Sequence, residues 1–239
     1  IYWTEDPVLK AEMAKRNPGM TIHGFADELV EGTAEKVKNG ALVLNNKLMI
    51  DSIGLEMNID EITIKGRHNM YNSMAAGIAA GLVGIDKEVI SKAFASFRGV
   101  EHRLEYVATI RGVRYINDSK ATNVNSCWYA LQSMCTPVVL ILGGTDKGND
   151  YSEIIDLVRE KVHTLVFMGL DNKKLNDYFR ANCSCNIIDT DNLDAAVRAC
   201  YDAAHDGDTV LLSPCCASFD LFKNYENRGD LFKEAVRKL

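Results

Sequence analysis

The sequence predicts an α/β protein: a mainly parallel sheet with helices on both faces, preceded by a smaller strand-rich region. Two observations predict this class. After residue 104, short apolar runs such as "PVVLILGG" and "TVLLSP" alternate with helical patterns, which is typical of parallel sheets buried on both faces. Before residue 66, short strands and turns predominate. We therefore expect two domains, residues 1–99 and 100–239.

The first region reads in order as strand, helix, hairpin and two helices. "IYW" predicts a strand and "DPVLKAEMAKR" a helix, while Asn45 and Asn46 can supply the positive φ angles of a tight turn in "ALVLNNKLMID". A small-residue helix follows over Asn69–Leu82, and Asp86 is expected to cap the next helix. The apolar face of that helix is predicted to comprise Val89, Ile90, Ala93, Phe94 and Phe97. Because the chain opens on a strand without an initiator Met, its start reads as a cut.

The second region begins within Phe97–Glu105 and repeats strand and helix. Its predicted strands are "LEYVATI", "VRYIND", "PVVLILGG", "TLVFMG", "NIIDT" and "TVLLSP". Its predicted helices lie near 123–134, 151–160, 172–181 and 192–204, and a last helix closes the chain.

The composition is that of a globular chain without a basic surface. Its 239 residues are 47% hydrophobic and 25% charged, with a net charge of −6, which argues against nucleic-acid and membrane-surface binding. The longest mostly apolar stretch, Met74–Ile85, is too short for a membrane span. Seven cysteines, an odd number without C-x-x-C spacing, predict reduced thiols and a cytoplasmic location.

Four polar segments follow predicted strands. They are "NDSKATN" (117–123), "GGTDKGND" (143–150), "MGLDNKK" (168–174) and "SPCCASFDLFKNYENRG" (213–229). Ligands of parallel sheets bind beyond the carboxyl ends of the strands. The sequence therefore predicts a ligand site at this edge.

Asn69 and Asn72 are candidates for ligand binding in the first region. Three residues apart on the first turns of a helix, their amides can face one ligand. The alternative is that one of them caps the helix.

His102 and Arg103 adjoin the predicted boundary. In an extended segment they would point to opposite sides and serve different partners. A structural hydrogen bond is the alternative for His102.

In "NDSKATN", Asp118 can accept from sugar hydroxyls or help to hold a cation, Lys120 can neutralise a phosphate, and Thr122 can donate to a carboxylate. The alternative is a helix capped at Ser119 or Thr122.

The two later segments offer anion-binding groups. Lys147 lies in a Gly-rich turn that does not match the P-loop pattern. Ser218 is expected at the start of the last helix, where free N–H groups favour an anion. The alternative is that Phe219, Phe222 and Tyr225 only pack that helix.

Taken in order and spacing, "GRHNMYN", "EHRLE", "YINDSKATN", "GGTDKGND" and "SPCCASFDLFKNYENRG" resemble the muramyl peptide ligases over essentially the whole chain. The resemblance implies the later part of an α/β ATPase domain over 1–99 and a Rossmann-like amino-acid-binding domain over 100–239. It also implies that the P-loop, the magnesium-binding Glu and His, and the carbamylated Lys of the family lie upstream of Ile1. This chain alone is then expected to be inactive.

The implied reaction is the addition of D-glutamate to UDP-N-acetylmuramoyl-L-alanine through an acyl phosphate, with ATP and Mg²⁺ as cofactors. The resemblance assigns the site residues by group: nucleotide contacts to Asn69, Asn72, Arg103 and Asp118; catalytic roles to His102 and Lys120; and D-glutamate contacts to Thr122, Lys147, Ser218 and Tyr225. Tyr225 departs from the Phe that is common at its position.

Two alternatives stay open. Another amino-acid ligase of the superfamily, such as a folylpolyglutamate synthetase, would share the ATP-side motifs but not "SPCCASFDLFKNYENRG". A dinucleotide-binding domain would need G-x-G-x-x-G after a strand, which this sequence lacks. A monomer is the favoured oligomeric state.

Overall fold

A computed structural model describes residues 1–15, 19, 21–27, 37 and 39–239 of the chain. They form two compact units, Ile1–Gly99 and Val100–Leu239. The division falls inside Phe97–Glu105, the segment in which the sequence predicts a boundary.

The first unit contains a five-stranded sheet in sequential order. Its strands are β1 (Tyr2–Trp3), β2 (Gly24–Ala26), β3 (Ala41–Leu44), β4 (Lys47–Ile50) and β5 (Leu55–Asn58). The first three are parallel, and the pairs β3/β4 and β4/β5 are antiparallel. Helix α1 (Pro7–Ala14) begins after Asp6, whose carboxylate accepts from Leu9 N at 2.8 Å. The predicted continuation of this helix to Arg16 lies outside the described residues.

The β3/β4 hairpin confirms the predicted tight turn. Asn45 and Asn46 have φ angles of 51° and 63°, the left-handed conformation that Asn tolerates better than most residues. Leu44 pairs with Lys47, so the loop is two residues long.

Two helices pack on this sheet. They are α2 (Arg67–Leu82), which begins two residues before its predicted start, and α3 (Lys87–Ser96). Met74 and Ile78 are fully buried against strand residues such as Leu48.

The predicted α3 face is partly wrong. Ile90 is buried and Phe94 packs on the core, but Val89 and Phe97 are 55% and 48% exposed. Of the predicted face, only Ile90 and Phe94, which lie one helical turn apart, pack against the core of this unit. Asp86 occupies the N-cap position without a side-chain hydrogen bond.

The second unit contains a six-stranded sheet in the order β10-β9-β8-β11-β7-β6. The strands are β6 (Glu105–Ile110), β7 (Val113–Asn117), β8 (Val138–Leu142), β9 (Val162–Met168), β10 (Asn186–Thr190) and β11 (Thr209–Leu212). The β6/β7 pair is antiparallel and the other pairs are parallel. The helices are α4 (Val124–Gln132), α5 (Ile155–Lys161), α6 (Lys173–Asn182), α7 (Leu193–Ala203) and α8 (Tyr225–Arg237).

Helices cover both faces of this sheet, so the predicted fold class is confirmed. On one face Leu140 and Leu142 of β8 pack in a core with α4, α5 and α6. On the other face Val139 and Ile141 pack in a core with α7 and α8. Every residue of β8 is fully buried, which explains its continuous apolar run. Within the described residues, none of the helices has the length and apolarity that a bilayer crossing requires.

Candidate active site

Three neighbouring strands of the second unit end at the same edge of the sheet. Strand β11 pairs in parallel with β7 on one side and with β8 on the other. We name the segments that follow them the β7 loop (118–123), the β8 loop (143–150) and the β11 loop (213–224). The carboxyl ends of parallel strands face one direction, so the three loops adjoin.

The β8 and β11 loops are joined by backbone hydrogen bonds. Thr145 N donates to Ala217 O at 2.8 Å, and Ala217 N donates to Thr145 O at 3.2 Å. Gly143 N donates to Pro214 O at 3.0 Å, and Asn149 Nδ2 donates to the carbonyl of the β11 loop at Cys215, at 3.1 Å. The two loops therefore form one continuous surface.

Arg228, in the first turn of α8, joins the β7 loop to the β11 loop. Its guanidinium donates from Nε to Ser119 Oγ at 2.9 Å, from Nη2 to Ser119 O at 2.7 Å and from Nη1 to Cys216 O at 3.2 Å. The side chain is fully buried, and this burial lowers the pKa of Arg228 to about 10. From the sequence, Arg228 was one of the polar residues of the segment 213–229 considered for anion binding, but its buried guanidinium instead binds groups of the β7 and β11 loops.

Asp118 is buried at the end of β7, at 4% exposure. Its Oδ1 accepts from Leu104 N at 3.1 Å, and its Oδ2 accepts from Ser213 Oγ at 2.8 Å. Desolvation outweighs these bonds and the nearby arginines, and it raises the pKa of Asp118 to about 7. Each carboxylate oxygen keeps a lone pair for a further donor.

His102 is held by a buried asparagine. Asn117 is fully buried, and its Nδ2 lies 3.0 Å from Glu105 Oε2 and 3.0 Å from His102 Nδ1. A carboxylate only accepts, so this amide nitrogen faces Glu105 and also donates to His102. Consequently His102 Nδ1 is the acceptor, and the proton of the neutral ring resides on Nε2. Asn117 was not singled out from the sequence.

The backbone at His102 is turned, which corrects the expected extended segment. His102 and Leu104 have φ angles of 63° and 46°, and Arg103 N donates to Val100 O at 3.1 Å. The alternating geometry that would separate His102 from Arg103 does not apply here. His102 is 4% exposed whereas Arg103 is exposed. In this turn, therefore, one side chain is buried and the other faces solvent.

Lys120 lies beside His102 and Tyr225. Lys120 Nζ donates to Tyr225 Oη at 3.3 Å and lies 5.1 Å from the centre of that ring. The His102 and Tyr225 rings meet edge to face, with centroids 6.1 Å apart. Thus one imidazole, one ammonium and one phenol are grouped at the start of α8.

Neither Ser119 nor Thr122 caps the helix that follows the β7 loop, so the capping alternative is wrong. Helix α4 is capped by Asn123, whose Oδ1 accepts from Ser126 N at 2.8 Å. The backbone of Lys120 donates to His102 O at 3.0 Å. Thr122 is half-buried between these contacts.

The expected position of Ser218 at a helix start is wrong. Helix α8 begins at Tyr225, and its cap is Asn224, whose Oδ1 accepts from Asn227 N at 2.7 Å. Ser218 lies in the β11 loop at 2% exposure, and Phe219 is 67% exposed rather than packed. The aromatic residues suggested that the helix begins earlier. Instead, the β11 loop pairs with the β8 loop through the backbone at Ala217 before the helix begins.

Asp146 organises the β8 loop around Lys147. Its Oδ1 accepts from Gly148 N at 2.7 Å and from Lys174 Nζ at 3.0 Å, while Oδ2 accepts from Tyr151 Oη at 2.7 Å. Partial burial opposes ionisation, yet these donors hold the pKa of Asp146 below its usual range. Lys147 itself is exposed. A cavity of about 540 Å³ adjoins the loop on its α6 side.

In the first unit, Asn69 and Asn72 lie on the first turns of α2, as predicted. The N-cap position is Gly66, so the capping alternative is wrong for both. Asn69 Nδ2 donates to Lys65 O at 2.8 Å, and Asn72 is exposed. Arg67, unremarked in the sequence, donates from Nε to Asp27 Oδ2 at 2.8 Å.

Comparison with known proteins identifies the family. Residues 102–216 match the family described as Mur ligase, glutamate ligase domain. A curated protein of Bacteroides thetaiotaomicron named UDP-N-acetylmuramoylalanine--D-glutamate ligase is 53% identical over 240 residues, which cover 100% of this chain and 53% of that protein. A protein of the same name from Porphyromonas gingivalis is 47% identical over 243 residues, covering 100% and 52%.

Solved structures agree on the fold. A MurF structure from Acinetobacter baumannii covers 99% of this chain and 51% of its own, with a TM-score of 0.64 at 16% identity. The chain spans about half the length of the curated relatives that it matches. From the matched domain and from identity along its full length, we conclude that the chain contains the glutamate ligase domain of the Mur ligase family.

Proposed function

We propose that this chain is part of an ATP-dependent amide ligase that adds D-glutamate to UDP-N-acetylmuramoyl-L-alanine during cytoplasmic synthesis of peptidoglycan precursors. Relatives with 47% and 53% identity over the whole chain carry that name. The activity is proposed for a complete protein of the relatives' length. The relatives are about twice as long as this chain.

The observation that carries the proposal is the junction of the three loops. Arg228 and the Thr145–Ala217 pairing hold them as one polar edge. D-glutamate has two carboxylates, so its site needs several donors and at least one cation. The D-glutamate set that we propose is Thr122, Lys147, Ser218 and Tyr225. Each loop contributes to it, and the phenol of Tyr225 is already bonded to Lys120.

The proposed reaction centre is the group around His102. Lys120 supplies a positive charge that offsets charge developing on a transferred phosphoryl group. His102 offers Nε2–H as a fixed donor, because Asn117 occupies Nδ1. ATP would supply the phosphoryl group that makes a carboxylate oxygen a good leaving group.

Arg103, Asp118, Asn69 and Asn72 are proposed as nucleotide contacts. Arg103 and Asn72 are exposed and can meet a ligand directly. Asp118 is available only through the remaining lone pairs of its buried carboxylate. Mg²⁺ enters the proposal through the family resemblance, and none of these residues is assigned to it.

The proposal is tested by adding D-glutamate, L-glutamate and NAD separately to the 239-residue chain while recording ¹H–¹⁵N NMR spectra. We expect D-glutamate to shift the amides of the β7, β8 and β11 loops, L-glutamate to bind at least about tenfold more weakly, and NAD to shift none. One carboxylate left without its donors accounts for a factor of this size. Lys147→Ala should abolish the D-glutamate shifts, and Lys173→Ala, an exposed lysine on α6, should not. Binding of NAD without D-glutamate would overturn the proposal.

A further inference from the structure

A second group of chemically active side chains lies at the opposite edge of the six-stranded sheet. His163 is the second residue of β9, and Asp208 immediately precedes β11. His205 lies in the turn before Asp208. One ligand atom from each residue lies within 4.8 Å of the other two. We propose that His163, His205 and Asp208 bind a divalent transition-metal ion such as Zn²⁺, independently of the ligase function.

A bulge aims His163 at this group. Val138 pairs with Val162 and Val139 pairs with Thr164, so His163 is the extra residue in β9. Bulges are rare between parallel strands, and they re-aim the side chain at which they occur. Although β8 separates β9 from β11, His163 Nε2 lies 2.9 Å from Asp208 Oδ2.

A tight turn holds Asp208 and brings His205 to it. Asp208 N donates to His205 O at 3.0 Å, and Gly207 has a φ of 91°, as the third residue of a type II turn requires. His205 N donates to Asp208 Oδ2 at 2.7 Å. The carboxylate is only 7% exposed, so its position is fixed by the fold.

The donor spacing is close to that of a zinc site. Ligands about 2.1 Å from Zn²⁺ in a tetrahedron lie about 3.4 Å from each other. Asp208 Oδ2 is 2.9 Å from His163 Nε2 and 3.6 Å from His205 Nδ1. His205 is 83% exposed and can adjust, and its exposed side leaves room for a water as fourth ligand. Imidazole donors favour zinc, copper or nickel over magnesium.

His163 also has the outer partner that metal-bound histidines usually have. Its Nδ1 lies 3.0 Å from Thr164 Oγ1, and Thr164 is 3% exposed. Such a partner orients the ring so that the other nitrogen faces the metal.

A second group, Glu101, His102 and Asp230, has similar spacing but differs in charge. There the ammonium of Lys233 already pairs with Glu101 and, at 3.1 Å, with Asp230. Within the part of the chain that the structure describes, no Lys or Arg nitrogen lies within ion-pair distance of Asp208, whose near side-chain nitrogens are those of the two histidines. A cation is therefore present in one group and lacking in the other, which favours metal binding at Asp208.

The test uses the 239-residue chain with Cys183→Ser, because thiolates are good zinc ligands and the Cys183 and Cys185 sulfurs lie 2.9 Å apart, so that removing one of them limits competition for the metal. ZnCl₂ is added at about pH 7.5, above the ordinary histidine pKa of about 6.5. Calorimetry measures affinity, and NMR follows the imidazole signals. We expect one equivalent of Zn²⁺ to shift the His163 and His205 signals.

His205→Ala and Asp208→Asn should each weaken zinc binding by about tenfold or more, since even outer partners of metal ligands change affinity roughly 10–100-fold. The matched control is Asp230→Asn, at the Lys233 group, which should leave the affinity unchanged. His205 is exposed, so its replacement does not threaten folding. Zinc affinity equal in wild type and His205→Ala, or imidazole signals that do not respond to zinc, would overturn the proposal.

Discussion

Asp118→Asn should change the pH dependence of stability. Burial raises the pKa of Asp118 from the ordinary aspartate value of about 4 to about 7. A carboxyl whose pKa is raised by folding stabilises the protein fully below its unfolded pKa, and this contribution is lost as pH rises through the folded pKa. The difference between about 4 and about 7 corresponds to about 4 kcal/mol, at 1.36 kcal/mol per unit.

Asparagine reproduces the shape of the neutral carboxyl. It can accept from Leu104 N with its oxygen and donate to Ser213 Oγ with its nitrogen. At pH 4 the variant should therefore match the wild type. At pH 8 the variant should be more stable by about 4 kcal/mol, because it buries no charge.

The assay is urea denaturation at pH 4, 6 and 8 followed by tryptophan fluorescence. A Trp3→Phe background leaves Trp128 as the only tryptophan, so the signal reports the second unit. The contribution of Asp118 is the difference between variant and parent, which cancels other titrating groups. A difference that stays constant across this range, or that favours the wild type at pH 8, would refute the reasoning.

Two further predictions concern stability. Arg228→Lys should reduce the free energy of unfolding of the second unit by about 3 kcal/mol, because one ammonium replaces three buried guanidinium contacts; the exposed Arg237→Lys on the same helix should be neutral in the same denaturation assay. Asn45→Ala should lower stability by about 1 kcal/mol, because alanine tolerates a positive φ less well than asparagine, whereas Asn46→Gly should be neutral or stabilising in thermal denaturation. Equal effects of each variant and its control would contradict these predictions.

Local sequence patterns were sufficient to predict most helices and strands. The apolar run of β8 and the Asn45–Asn46 turn follow from short-range rules, because burial on both faces and positive φ angles leave direct marks in composition. Element boundaries were less predictable. Helix α8 begins seven residues after Ser218, since pairing of Thr145 with Ala217 continues the loop beyond the aromatic pattern.

The site was predicted as a set of segments but not as an arrangement. The sequence placed Asp118, Lys120 and Thr122 at the end of one strand. It placed Lys147 and Tyr225 in polar segments that follow two other strands. It gave no sign that Asn117 would determine the protonated nitrogen of His102. Buried asparagine and arginine have no periodic signature, and their partners lie more than 100 residues away or across a turn.

By itself, the sequence determined the α/β class, the two-part organisation and the edge at which polar residues gather, because alternation of apolar strands and helices leaves few ways to bury both faces of a sheet. Only the tertiary structure decided which polar groups meet. The order of β8, β11 and β7 in the sheet brings residues distant along the chain within hydrogen-bond distance, and the bulge at His163 aligns it with Asp208 across β8. Hydrogen bonds act over about 3 Å, and only folding sets distances on that scale.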